Sequence, residues 1–178
     1  GGVTFDGLLD DVRIYNRVLS QDEIKRLYKI GATLKIATTR TDTLTDGLVG
    51  YWSFDGPDVA GVTAYDRSGQ NNNGTLTNGP VRAIGRIGQA LEFDGVDDYV
   101  NVGALSKFIT ASDGSSCAWT QPTGSSRTET RVWLLPSVVN QAVELVAITR
   151  GIIGGTDGFW FFNWDGTEDR FSTSYTVG

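Results

Sequence analysis

Histidine and methionine are absent from the 178 residues of this chain. Without imidazole, the commonest general base, the His-activated nucleophile and the usual nitrogen ligand of zinc are all excluded. Oxygen chemistry remains, since Asp and Asn side chains suit a hard cation. Cys117 is the single cysteine, so no internal disulfide can form and a buried, inert thiol is its plain reading. No run approaches the ~18 apolar residues of a membrane-crossing helix. Basic clusters are missing too. The 15 Lys and Arg face 21 Asp and Glu, a net charge of −6, which argues against nucleic acid and membrane insertion or anionic membranes as partners.

What is present is the makings of a turn-rich β protein. Hydrophobic residues are 39% of the chain and aromatics 11%, enough for a core. The 23 glycines, with many Asn, Asp, Ser and Thr, predict tight turns and short strands.

Residues 5–31, FDGLLDDVRIYNRVLSQDEIKRLYKIG, read as strand, turn, short helix and stop. Leu8, Leu9, Val12 and Ile14 alternate imperfectly with Asp10, Asp11 and Arg13, as on a strand with one buried face. Ser20 is the expected N-cap of a helix over 20–30, Glu23 completes a capping box, and Leu19 and Ile24 form its staple. Such a helix is marginal alone and must dock. Residues 32–46 are Thr-rich and read as a linker. A new opening strand, GLVGYWSFDG, begins at 47. Strand signals follow at 89–93 and 98–102, then at 116–121 and 131–135, and finally at 159–164 and 171–177; 141–149 reads as either strand or helix, with strand favoured by its β neighbours. The stretch 64–80, AYDRSGQNNNGTLTNGP, reads as a polar loop.

Two groups of side chains could carry function. FWFFNWDG at 159–166 puts Phe159 and Phe161 on one face of a strand and Trp160, Phe162 and Trp164 on the other. Flat aromatic faces beside polar groups suit sugar binding, with Trp160, Asn163, Trp164 and Asp165 as the candidate ligand-binding residues. Burial of both faces in a sandwich is the competing reading. Glu92 and Asp94 share a face of their strand, and retaining glycoside hydrolysis needs two carboxyls about 5 Å apart. Against that, DGVDD at 94–98 reads equally well as a hairpin turn.

The segments GLVGYWSFDG, AYDRSGQNNNGTLTNGP, IGQALEFDGVDDYVNVG and FDGLLDDVRIYNRVLSQDEIKRLY together resemble the laminin-G-like branch of the concanavalin A-like lectin/glucanase superfamily, in its bacterial tandem-repeat form. The resemblance covers 1–31 and 47–103 well and implies an all-β, antiparallel jelly-roll β-sandwich with one short helix near the N-terminus. It implies a non-catalytic carbohydrate-binding or adhesion module, extracellular or at the cell surface, with a glycan or surface glycoprotein as partner. A purely structural spacer is the competing class, and a glycosidase using Glu92 and Asp94 a remote one. The family places a structural Ca2+ where first and last strands meet; the matching positions are Asp10 and Asp55, with Asp66 and Asn73 as additions. It also places DDVRIYN last, whereas here that segment comes first. The expected organisation is therefore 1–31 as the terminal strand and helix of one unit, 32–46 as linker, and 47–178 as the opening part of the next. The alternative is that 1–31 folds back onto 47–178 or pairs with a neighbouring repeat or chain that supplies strands.

Overall fold

A computed structural model describes residues 5–30, 43–103 and 114–123, and the backbone of 130–131, 149–150, 158–164 and 169–176. Its strands are β1 (Asp6–Tyr15), β2 (Leu48–Trp52), β3 (Val59–Ala60), β4 (Thr63–Ala64), β5 (Gly74–Thr77), β6 (Val81–Ile84) and β7 (Gln89–Asp94). They continue as β8 (Tyr99–Asn101), β9 (Gly114–Pro122), β10 (Thr130–Arg131), β11 (Thr149–Arg150), β12 (Gly158–Trp164) and β13 (Asp169–Thr176). One α-helix, α1 (Gln21–Ile30), follows β1.

Every pairing between described strands is antiparallel. The large sheet has seven strands, ordered β13-β12-β9-β1-β7-β6, with β2 also on β1; β3-β4-β5-β8 form a second sheet. The architecture is an antiparallel β-sandwich with a helix on its outer face. Expected strand residues 132–135, 141–148 and 177, and most of the 32–46 linker, lie outside the described residues.

β1 is an interior strand. β9 pairs with it from Gly7 to Tyr15 on one side. On the other, β7 takes Asp6–Leu9 and β2 takes Val12–Tyr15. The segment that the family would place last therefore pairs in this chain with three strands that follow it. Its imperfect alternation has a local cause. The ladder with β9 shifts register between Asp10 and Arg13, and Asp11 adopts φ 54°. This is a β-bulge, in which one extra residue resets which side chains face inward. Asp is among the residues that tolerate the left-handed region.

Two apolar clusters result. Between the sheets lie Leu9, Val12 and Ile14 with Trp52, Leu91, Phe93, Val59 and Ala64. On the outer face, Leu27 of α1 packs with Tyr15, Leu19, Cys117 and Trp119. Tyr28 stacks on Trp119 at 5.4 Å between ring centroids. The helix starts as its capping box requires: Ser20 N–H donates to Glu23 Oε2 at 2.9 Å and Glu23 N–H donates to Ser20 Oγ at 3.4 Å. Arg17 also binds Glu23, at 2.7 Å, and this hydrogen bond holds the Glu23 carboxyl down at about 2. Cys117 is buried, and burial pushes its thiol up to about 12. It has no thiolate to offer at neutral pH.

The polar stretch 64–80 is not loop throughout. Gly74–Thr77 forms β5, between β4 and β8. Gly74 is buried and Leu76 packs on the inter-sheet cluster, while Thr75 faces out.

Candidate functional site

β7 leaves β1 at Leu9 and β2 joins it at Val12, so Asp10 and Asp11 fall at a gap in the ladder on that side. Backbone donors that lose a ladder partner at such a gap need another acceptor. Two carboxylates supply it. Asp10 Oδ2 accepts the Ile87 N–H at 2.8 Å, and Asp55 Oδ1 accepts the Gln89 N–H at 2.8 Å. Both carboxylates thus grip the β6–β7 turn, which closes on itself through a Gly85 N–H to Gly88 carbonyl bond of 3.1 Å.

Glycine is required at both ends of this turn. A Cβ on Gly85 would lie 2.6 Å from Asp10 Oδ2. Gly88 has φ 75°, and a Cβ there would overlap Asp55 Oδ1.

Asp10 is 2% exposed, and its Oδ1 is buried with no hydrogen-bond partner. Burial pushes its carboxyl up to about 7; the charges of Asp11 and Asp55 add to this, and the Ile87 and Arg86 amides oppose it. Asp10 also lines a cleft of about 170 Å³ with Leu8, Gly85, Arg86, Trp119 and Gln121. The Arg86 guanidinium lies 5.1 Å above the Trp119 ring. Next along β1, Arg13 is buried against Asp11 at 3.0 Å and over the Tyr51 ring at 4.2 Å. Asp11 thus has Arg13 as its ion-pair partner, whereas Asp10 has no cationic partner among the described ion pairs.

No protein-family model, curated protein or solved structure matches this chain. The site must be read from its own geometry.

Of the four positions matched to a metal, the structure brings Asp10 and Asp55 to one turn, and Asp66 and Asn73 to each other. Asp66 Oδ1 accepts the Tyr51 and Ser68 N–H groups, and Oδ2 accepts Ser68 Oγ–H and Asn72 N–H. Asn73 Oδ1 accepts the Asp66 N–H at 3.0 Å. These two side chains organise the 66–73 loop and pin it to β2. No described contact joins them to Asp10 or Asp55.

In the aromatic strand β12, Phe159 pairs with Trp119, Trp160 with Ala118, Phe161 with Cys117, Asn163 with Ser115 and Trp164 with Gly114. Trp160 thus sits at the register position of an inter-sheet core residue, and Phe159 and Phe161 at those of the helix-covered cluster. Asp165 lies outside the described residues.

Glu92 and Asp94 are both exposed on β7, as alternation predicts. Asp94 Oδ1 accepts the Val96 N–H at 2.8 Å within its own turn. Asp94, Asp97 and Asp98 bring carboxylate oxygens within 4.8 Å of one another, a grouping not foreseen from sequence. Asp98 Oδ2 is engaged by the Asp94 N–H, so turn closure accounts for the cluster. Trp119 and Arg86 were also missed. Their only signal is GRIGQ at 85–89, two glycines framing a short turn, and nothing local points from there to a tryptophan 33 residues on.

Proposed function

We propose that this chain is a non-catalytic recognition module of jelly-roll type, completed by a calcium ion at Asp10 and Asp55 and binding glycan through the aromatic strand β12. The observation that carries the cation is the buried Oδ1 of Asp10, which has no donor while burial, with the charges of Asp11 and Asp55 adding to it, raises its carboxyl. Buried carboxylates are tolerated when paired or when they coordinate a metal. The donor set is all oxygen, the chemistry that calcium takes. Asp10 and Asp55 would hold the ion, and its charge would offset their repulsion.

Support for the glycan comes from composition: β12 carries alternating aromatics beside Asn163. Among the described residues no helix is long and apolar enough to cross a membrane. The laminin-G-like resemblance supplies the extracellular setting. Hydrolysis by Glu92 and Asp94 gains nothing from the geometry, since Asp94 caps its own turn.

A glycan array tests the reading. Binding should be present in the parent chain and fall in Trp160→Ala and Trp164→Ala, each stacking contact contributing about 1 kcal/mol, or roughly fivefold in affinity. Silence across the array, with both variants folded, would leave the structural spacer as the better reading.

A further inference from the structure

We infer that Asn78 is a site of spontaneous deamidation, and that its conversion remodels the paired turns at the β5–β6 and β7–β8 ends of the sandwich. The chain has two Asn-Gly steps, and the structure treats them oppositely. Asn78 and Gly79 are both exposed, with φ 67° and 121°. A Cβ built on Gly79 would meet only Asp98 Oδ1, at 3.9 Å, so the peptide has open space around it. No described hydrogen bond uses the Gly79 N–H. At the other step Gly74 is buried inside β5, paired with Ala64, and a Cβ there would come within 2.7 Å of Val100. Asn73 holds its side-chain carbonyl against the Asp66 N–H.

The chemistry needs only solvent. The Gly79 backbone nitrogen attacks Cγ of Asn78, forming a C–N bond as the Cγ–Nδ2 bond breaks. The leaving nitrogen takes the Gly79 amide proton and departs as ammonia. Water then opens the succinimide at either carbonyl, giving aspartate or isoaspartate at 78. Attack requires the nitrogen to swing toward its own side chain, and glycine, lacking Cβ, is the residue that allows this.

The product reverses a local interaction. Asn78 Nδ2 now donates to the Asp97 carbonyl at 2.9 Å, tying the two turns together. A carboxylate in its place opposes an acceptor with an acceptor, beside the Asp94, Asp97 and Asp98 cluster. Isoaspartate also lengthens the backbone of the turn by one carbon.

Incubating the full chain at 37 °C at mildly alkaline and mildly acidic pH, followed by peptide mapping, tests this. The mass gain of an NH-to-O exchange should appear at 78, faster at alkaline pH because the attacking amide must lose its proton. It should exceed any gain at 73 by about tenfold or more, a barrier difference of about 1.4 kcal/mol. Asn78→Gln, whose ring closure is slower, should remove it while Asn73→Gln should not. No mass gain at 78, an equal gain at 73, or a gain that persists in Asn78→Gln would overturn the inference.

Discussion

Adding calcium to protein stripped of divalent ions at pH 8 is expected to raise the melting temperature by roughly 5–10 °C. An ion bound only by the folded state contributes about 2.7 kcal/mol at a hundred times its Kd, and a domain of this size shifts by about 2–4 °C per kcal/mol. The pH dependence supplies the sign. The Asp10 carboxyl is raised in the folded chain to about 7, from about 3.9 when unfolded. Below both values the carboxyl is protonated in either state and contributes nothing. As pH rises through this window the unfolded chain releases the proton first, so metal-free stability falls by up to about 4 kcal/mol between pH 4 and 7. Calcium replaces that proton, so its benefit should grow from pH 5 to pH 8. Asp10→Asn removes the buried charge and nearly preserves the shape. It should stabilise the metal-free protein at pH 8 and abolish the calcium response. A calcium shift that is absent at every pH, or unchanged in Asp10→Asn, would remove the ion from the account.

Ile14→Ala should cost about 3–4 kcal/mol in urea unfolding, whereas Ile84→Ala should stay within about 0.5 kcal/mol. The two isoleucines are 0% and 87% exposed. Ile14 sits in β1, opposite Gly50 on one side and Ser116 on the other, so the cavity would open where three strands meet. Its neighbours are ladder-bonded and cannot collapse easily, which places the cost well into the range for isoleucine truncation. Equal, small effects at both positions would mean that β1 is not packed as described.

How far the chain could be read in advance follows from the range of the forces involved. The helix was legible because a capping box and staple are local, three and five residues apart, and Ser20, Glu23 and Leu19 take those roles. The bulge at Asp11 was visible only as broken alternation, because its partner strand β9 lies a hundred residues away. β5 was hidden for another reason. A four-residue strand with Thr75 turned to solvent and a glycine turned inward shows little hydrophobic period. Asp66 was matched to a metal position by the resemblance; its carboxylate accepts from the Tyr51, Ser68 and Asn72 N–H groups and the Ser68 hydroxyl, partners that composition cannot reveal. Asp10 and Asp55 meet because β1 pairs with β7 and β2 in turn, an arrangement fixed by the sheet rather than by either local sequence.

Hydrogen exchange on the full chain tests most directly whether β1 is the interior strand of the large sheet. Exchange of an amide bonded on a central strand requires the whole domain to open. The amides of Leu9, Arg13 and Tyr15 should therefore exchange as slowly as those of Leu91 and Ala118, with protection that falls in step with global stability as denaturant is added. Exchange of β1 at the rate of an unstructured peptide, while β7 and β9 stay protected, would contradict the account.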